Sequence, residues 1–183
     1  MDNGAESYRR FLDGDDSGLG EIVGEYKDGL ILFLNGFVGN IYVAEELAED
    51  AFFRLMVKKP RFSGKSSFKS FLYGIGRHVA LDHLRRGPGD VPIEEAENCL
   101  ADEEDLEKSY IMEERKGTVL DAMKKLRPEY RQVLWLVYFE DLSNGETSAV
   151  MKKSPRQIRN LLYRAKKSLK VELEKEGFTY EEF

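Results

Sequence analysis

Two serines eleven residues apart, Ser143 and Ser154, constrain this chain more than any other feature. Each opens a quartet, Ser143-Asn144-Gly145-Glu146 and Ser154-Pro155-Arg156-Gln157, with the spacing of a capping box. The serine oxygen accepts from the backbone N–H three residues on, and Glu146 or Gln157 reaches back to the serine's own N–H. Pro155 falls at the first helical position, where a missing donor does no harm. Two helix starts this close leave room for one short helix and a tight turn, the layout of a helix-turn-helix. In such a unit the second helix enters the major groove.

The second helix supports that reading. Ile158, Leu161, Leu162, Ala165 and Leu169 recur at helical spacing and define an apolar face. Arg156, Arg159, Asn160, Tyr163, Lys167 and Lys170 fall opposite, and residues 152–170 contain no acid although the chain carries a net charge of −6. A solvated basic surface helix is the plain alternative. Pairing with a second capped helix favours DNA contact.

The charge is segregated along the chain. Residues 54–86 hold nine Lys/Arg against Asp82 alone, and residues 87–118 hold eleven acids against three bases. Gly87-Pro88-Gly89-Asp90-Val91-Pro92 punctuates the change and marks a domain boundary. The expected organisation is a front domain over residues 1–88, an acidic linker over 89–114 and a helix-turn-helix domain over 115–183. No period-two strand pattern or internal repeat occurs, so the fold class is all-α, two small helical domains. Short helices are expected over residues 6–12 and 19–26, then an apolar helix over 30–38. Further helices are expected over 43–57, 68–86 with Phe71, Leu72, Ile75, Val79 and Leu84 inward, 106–126 and 129–140, split at Pro128.

The single Cys99 excludes an internal disulfide framework and fits a reducing compartment. Residues 1–16 are polar and acidic, unlike a signal peptide, and the apolar stretch 30–43 is too short to span a bilayer. A cytoplasmic protein without membrane insertion is expected. Enzyme readings fail on spacing. Gly64-Lys65-Ser66 echoes the end of a P-loop, but Lys59 stands where the first glycine is needed. His78 and His83 do not share a helical face, and Cys99 has no neighbouring cation to activate it. Asp82 reads as a structural partner of Arg85 or Arg86. Neither catalytic site, metal nor cofactor is expected.

Several segments together resemble the extracytoplasmic-function sigma factors, the small two-domain specificity subunits of bacterial RNA polymerase. Residues 62–68 (FSGKSSF), 71–78 (FLYGIGRH), 82–86 (DHLRR) and 44–52 (AEELAEDAF) resemble the family's region two. Leu126-Arg127-Pro128, Arg131, Val133-Leu134, Leu142-Ser143 and Leu162-Tyr163-Arg164-Ala165 resemble region four. The departures are His78 in place of a usual asparagine, Thr147-Ser148 in place of an apolar-Ala pair, and Lys152-Lys153 where a turn glycine is common.

The resemblance implies promoter-specific initiation. Arg61, Phe62, Ser63, Gly64, Lys65, Ser66, Arg77, His78 and Arg85 would meet the minus-ten element, with Phe62, Phe68, Phe71 and Tyr73 as aromatics among cations. For Phe68 and Phe71 a core role is the better reading. Arg156, Gln157, Arg159, Asn160, Tyr163 and Lys167 would read the minus-thirty-five element. Glu45, Glu46, Glu49 and Asp50 would dock on core RNA polymerase, whose beta-prime and beta subunits are the implied partners beside promoter DNA. An anti-sigma protein is a further partner the family often has. An autonomous DNA-binding regulator is the second reading of the same helix-turn-helix, and a front half with a basic loop and an acidic helix argues against it.

Overall fold

The computed structural model describes residues 3–87 and 114–177. All regular structure among them is helical. The front half contains α1 (Asn3–Leu12), α2 (Ser17–Val38), α3 (Ile41–Lys58) and α4 (Phe68–Arg86). The back half contains α5 (Glu114–Lys124), α6 (Pro128–Leu134) running into a π-helical turn (Trp135–Phe139), α7 (Asn144–Met151) and α8 (Pro155–Lys175). The expected linker lies almost wholly outside the described residues.

Local chemistry sets these limits. The Asn40 side chain accepts from Val43 N at 3.0 Å and starts α3, and Ser67 Oγ accepts from Ser70 N at 3.3 Å and starts α4. Gly39 ends α2 in the left-handed conformation glycine adopts without strain. Lys59 ends α3 and Lys152 ends α7 in that same conformation, with φ of 42° and 51°. The Lys152 turn thus does without glycine.

The sequence suggested a break between residues 26 and 30, yet α2 runs unbroken through it. The reason is tertiary. A Cβ on Gly29 would lie 2.5 Å from Glu140 Oε1 and 2.6 Å from the Tyr73 hydroxyl, so the missing side chain lets the back half approach α2. Leu84, expected inward on α4, is 49% exposed. The helix expected over 129–140 ends as a π turn, in which the wider winding stacks Trp135 on Phe139 at 4.5 Å between ring centres.

Each half has its own apolar centre, built in front from Tyr8, Ile22, Leu30, Leu34, Leu55, Phe68 and Leu72. Behind, Val133, Leu136, Val150, Met151, Ile158 and Ala165 are buried. The two centres meet where Phe33 and Gly36 of α2 face Met123, Arg131 and Trp135. α7 lies along α4, so the halves form one packed body.

Candidate nucleic-acid interface

The helix-turn-helix forms as its caps require. Ser143 Oγ accepts from Glu146 N at 3.2 Å, while Glu146 Oε2 accepts from Ser143 N at 3.0 Å. Ser154 Oγ accepts from Gln157 N at 3.2 Å, and Gln157 Oε1 accepts from Ser154 N at 2.8 Å. Ile158 and Ala165 are buried on the inner side of α8, with Leu161, Leu162 and Leu169 half-buried beside them. Arg156, Gln157, Arg159, Asn160, Tyr163 and Lys167 are all exposed, Tyr163 at 71%. Gln157 Oε1 accepts one hydrogen bond in its cap, which leaves the side-chain amide N–H groups and one lone pair of the oxygen for a ligand. Among the described residues, no acid pairs with Arg156, Arg159 or Lys167 within 4 Å. Arg164 is also exposed and adds to the same positive helix.

The front cations are arranged less simply. In the loop over residues 59–67, Arg61, Ser63, Gly64 and Lys65 are exposed and Ser66 is half-buried. Phe62 turns inward, its ring 5.7 Å from Phe68 and 5.3 Å from Phe71. Phe68 is fully buried and Phe71 half-buried, so these rings serve the core. Tyr73 is fully buried against the back half and cannot stack on a base in this arrangement. Arg77 is half-buried, its Nε enclosed and without a hydrogen-bond partner among the described residues; burial lowers its pKa and Glu129, across the domain boundary, opposes that.

His78 and Arg85 remain exposed around Asp82. Asp82 lies 3.4 Å from His78 Nε2, 3.3 Å from Arg85 and 3.4 Å from Arg54. Burial pushes its carboxyl up, but the neighbouring His78, Arg54 and Arg85 together outweigh burial and hold it below the usual range. A cleft of about 450 Å³ runs between α4 and α7, lined by Arg54, Lys58, Ser66, Ser70, His78 and Lys152 over a floor of Phe71 and Ile75. Its walls carry positive charge and hydroxyls, a chemistry suited to phosphate.

On α3, Glu46, Glu49 and Asp50 are exposed and Glu45 is half-buried. Beside them runs an apolar groove of Leu19, Val23, Phe52, Phe53 and Met56. Phe53 and Val57 are each 58% exposed, a surface sequence reasoning missed. The adjacent Phe52-Phe53 pair was the available signal, since consecutive helical residues cannot both face one core.

A polar knot ties the halves together. Trp135 Nε1 donates to Glu140 Oε1 at 3.0 Å. Lys69 Nζ lies 3.2 Å from Glu140 Oε2 and donates to the Glu140 carbonyl at 3.2 Å. Burial and the adjoining Glu140 carboxylate hold the Tyr73 phenol well above its ordinary pKa. Glu146 lines the same depression as Lys69 and Glu140; burial raises its carboxyl, but hydrogen bonds from Ser67 and Ser143 outweigh it and hold Glu146 below its ordinary value.

The comparisons with known proteins divide the chain along these same halves. The family model for Sigma-70 region 2 matches residues 22–87, and that for Sigma-70 region 4 matches residues 116–169. The chain is 25% identical to the ECF RNA polymerase sigma factor SigW of Bacillus subtilis over 170 residues, covering 87% of this chain and 91% of that protein. It is 29% identical to the RNA polymerase sigma-H factor of Pseudomonas aeruginosa over 166 residues, covering 85% of this chain and 86% of the other. CnrH, solved in complex with the cytosolic domain of CnrY, shares the fold with a TM-score of 0.62 at 19% identity, covering 94% of this chain and 95% of that one. Among the described residues, no helix is long and apolar enough to cross a membrane.

Proposed function

We infer the division of labour in this chain from the premise that it belongs to the sigma-70 family, in its extracytoplasmic-function class. It is an RNA polymerase sigma factor, a subunit that directs promoter-specific transcription initiation. The proposed work is recognition, without catalysis. α8 reads the minus-thirty-five element, the loop over residues 59–67 with His78 and Arg85 engages the minus-ten element, and the acidic face of α3 docks on core polymerase. The apolar strip of Phe53 and Met56 beside Glu49 extends that docking face. CnrH is seen with the cytosolic domain of CnrY, and a sigma factor of Bartonella quintana with the anti-sigma factor NepR; this chain is proposed to accept an anti-sigma protein.

One observation carries the reading: a helix opened by a capping box, in an acidic chain, presents Arg156, Arg159 and Lys167 exposed and without acid partners among the described residues. Its N-terminus, fixed by Ser154 and Pro155, brings Arg156, Arg159 and Asn160 nearest to base edges. Tyr163 and Lys167 lie further along and suit phosphates. Arg156→Ala or Arg159→Ala is therefore expected to relax preference in the minus-thirty-five element, by about 1–3 kcal/mol where the contact is bidentate to guanine. Lys167→Ala is expected to weaken all sequences alike and to lower the salt slope by about one counterion. Binding-site selection on each variant checks this; unchanged preference in both arginine variants would move base reading off the face.

Geometry adds a requirement. The two promoter elements are centred about 25 base pairs apart, or about 85 Å at 3.4 Å per step. A packed chain of 183 residues has a radius of gyration of only about 16 Å. The packed arrangement cannot span both elements, so promoter engagement requires the two halves to separate. Arg77, half-buried at their boundary, becomes available to DNA only then.

A further inference from the structure

The match to Sigma-70 region 2 begins at residue 22, which leaves α1 outside it. Yet α1 grips the base-engaging loop at its origin. The Tyr8 hydroxyl donates to the Pro60 carbonyl at 2.7 Å across the boundary between α1 and the loop. The neighbouring residue, Lys59, holds a left-handed φ of 42° and places its ammonium 4.7 Å from the centre of the Phe11 ring. That arrangement is a cation–π contact. Both residues that launch the loop are thus tied to α1.

The next anchor leads back to the same place. The Phe62 ring rests on Phe68 and Phe71, and Tyr8 packs on these rings at 5.3 Å and 6.1 Å. Between Phe62 and the Ser67 cap, Ser63, Gly64 and Lys65 are exposed and short or flexible, with Gly64 at φ 69°. They bury too little to fix their own conformation, so their placement depends on Pro60 and Phe62. Tyr8 is 1% exposed and touches the supports of both. Burial pushes its phenol up to about 12, so the hydroxyl keeps its proton, and its donor role, at neutral pH.

We propose that Tyr8 is a positioning residue for promoter opening: through its hydrogen bond to Pro60 and its ring contacts to Phe68 and Phe71, α1 holds residues 59–67 in the shape that receives unstacked bases. The inference rests on the reading of that loop as the minus-ten contact. It assigns α1 a role in DNA engagement without touching DNA. The physical reason is that a loop pinned at one carbonyl and one ring meets an extruded base already ordered, whereas an unpinned loop must order as it binds.

The test uses the full chain with core polymerase on a promoter recovered by run-off selection, with 2-aminopurine in the minus-ten element. Tyr8→Phe keeps the ring and removes only the donor. The expected result is a rate of 2-aminopurine unstacking about 3- to 10-fold lower, with core binding and melting temperature close to wild type. The salt dependence of promoter binding should be unchanged, because no phosphate contact is lost. Lys65→Ala, run in parallel, perturbs the loop itself. If Lys65→Ala slows unstacking and Tyr8→Phe does not, the positioning role is overturned and the loop assignment stands. Wild-type unstacking in both variants overturns the loop assignment and the inference with it. Loss of core binding or folding in step with unstacking makes Tyr8 a packing residue and overturns the positioning role.

Discussion

Glu140→Ala is expected to loosen the contact between the two halves while leaving each half folded. The carboxylate is the acceptor for the buried Trp135 indole N–H, and its loss leaves that donor enclosed without a partner. An unsatisfied buried donor costs about 1–3 kcal/mol, enough to shift a closed–open equilibrium about 5- to 150-fold. The Lys69 pair adds less, because about a third of the Lys69 side chain is exposed and solvent screens it. Trp135 is the chain's single tryptophan and lies at the boundary, so its emission reports the change directly. The variant should show red-shifted emission and a larger radius of gyration by small-angle scattering, with helical circular dichroism retained. Gly29→Leu should act in the same direction by driving a side chain into Glu140 and Tyr73. Wild-type emission and scattering in both variants would remove this knot as the clasp.

Phe68→Ala is expected to destabilise the front half by about 3–5 kcal/mol, the range for a large aromatic removed from a closed core. Phe68 is fully buried and meets Tyr8, Tyr26, Phe62 and Phe71 with ring centres between 5.3 and 5.9 Å away. The space is closed on the α1 side too, where a Cβ on Gly4 would lie 2.5 Å from the ring. The surrounding helices therefore cannot collapse into the cavity without moving α1. Denaturation followed by circular dichroism should show an early transition for the front half. Leu84→Ala, one end of the same helix but half exposed, should change stability by less than about 0.5 kcal/mol. Equal effects from the two substitutions would contradict the placement of the core.

The contrast between those two residues shows what the amino-acid order reveals. Features fixed by chemistry within four residues were legible: the Ser143 and Ser154 capping boxes, the limits of α4, and the exposed face running from Arg156 to Lys167. Features set by distant partners were not. Gly29 looks like a helix breaker until Glu140 fills the space beside it. Tyr73 lies among cations in sequence, yet the back half buries it. Phe62 and Arg77 have the composition of DNA contacts, but Phe62 turns to Phe68 and Arg77 to the domain boundary. The grip of Tyr8 on Pro60 spans 52 positions and has no local signature. Thr147, a departure from the usual residue pair, is fully buried, and no described residue satisfies its hydroxyl.

Run-off transcription with purified core RNA polymerase on a promoter library tests the sigma-factor reading most directly. Core polymerase with this chain should yield discrete transcripts from templates sharing one minus-thirty-five and one minus-ten sequence, and core polymerase without it should not. The Arg159→Ala chain should draw transcripts from a broader set of minus-thirty-five sequences. A chain that leaves core polymerase inactive at every template, yet selects a DNA sequence unaided, would contradict the reading and identify an autonomous DNA-binding regulator.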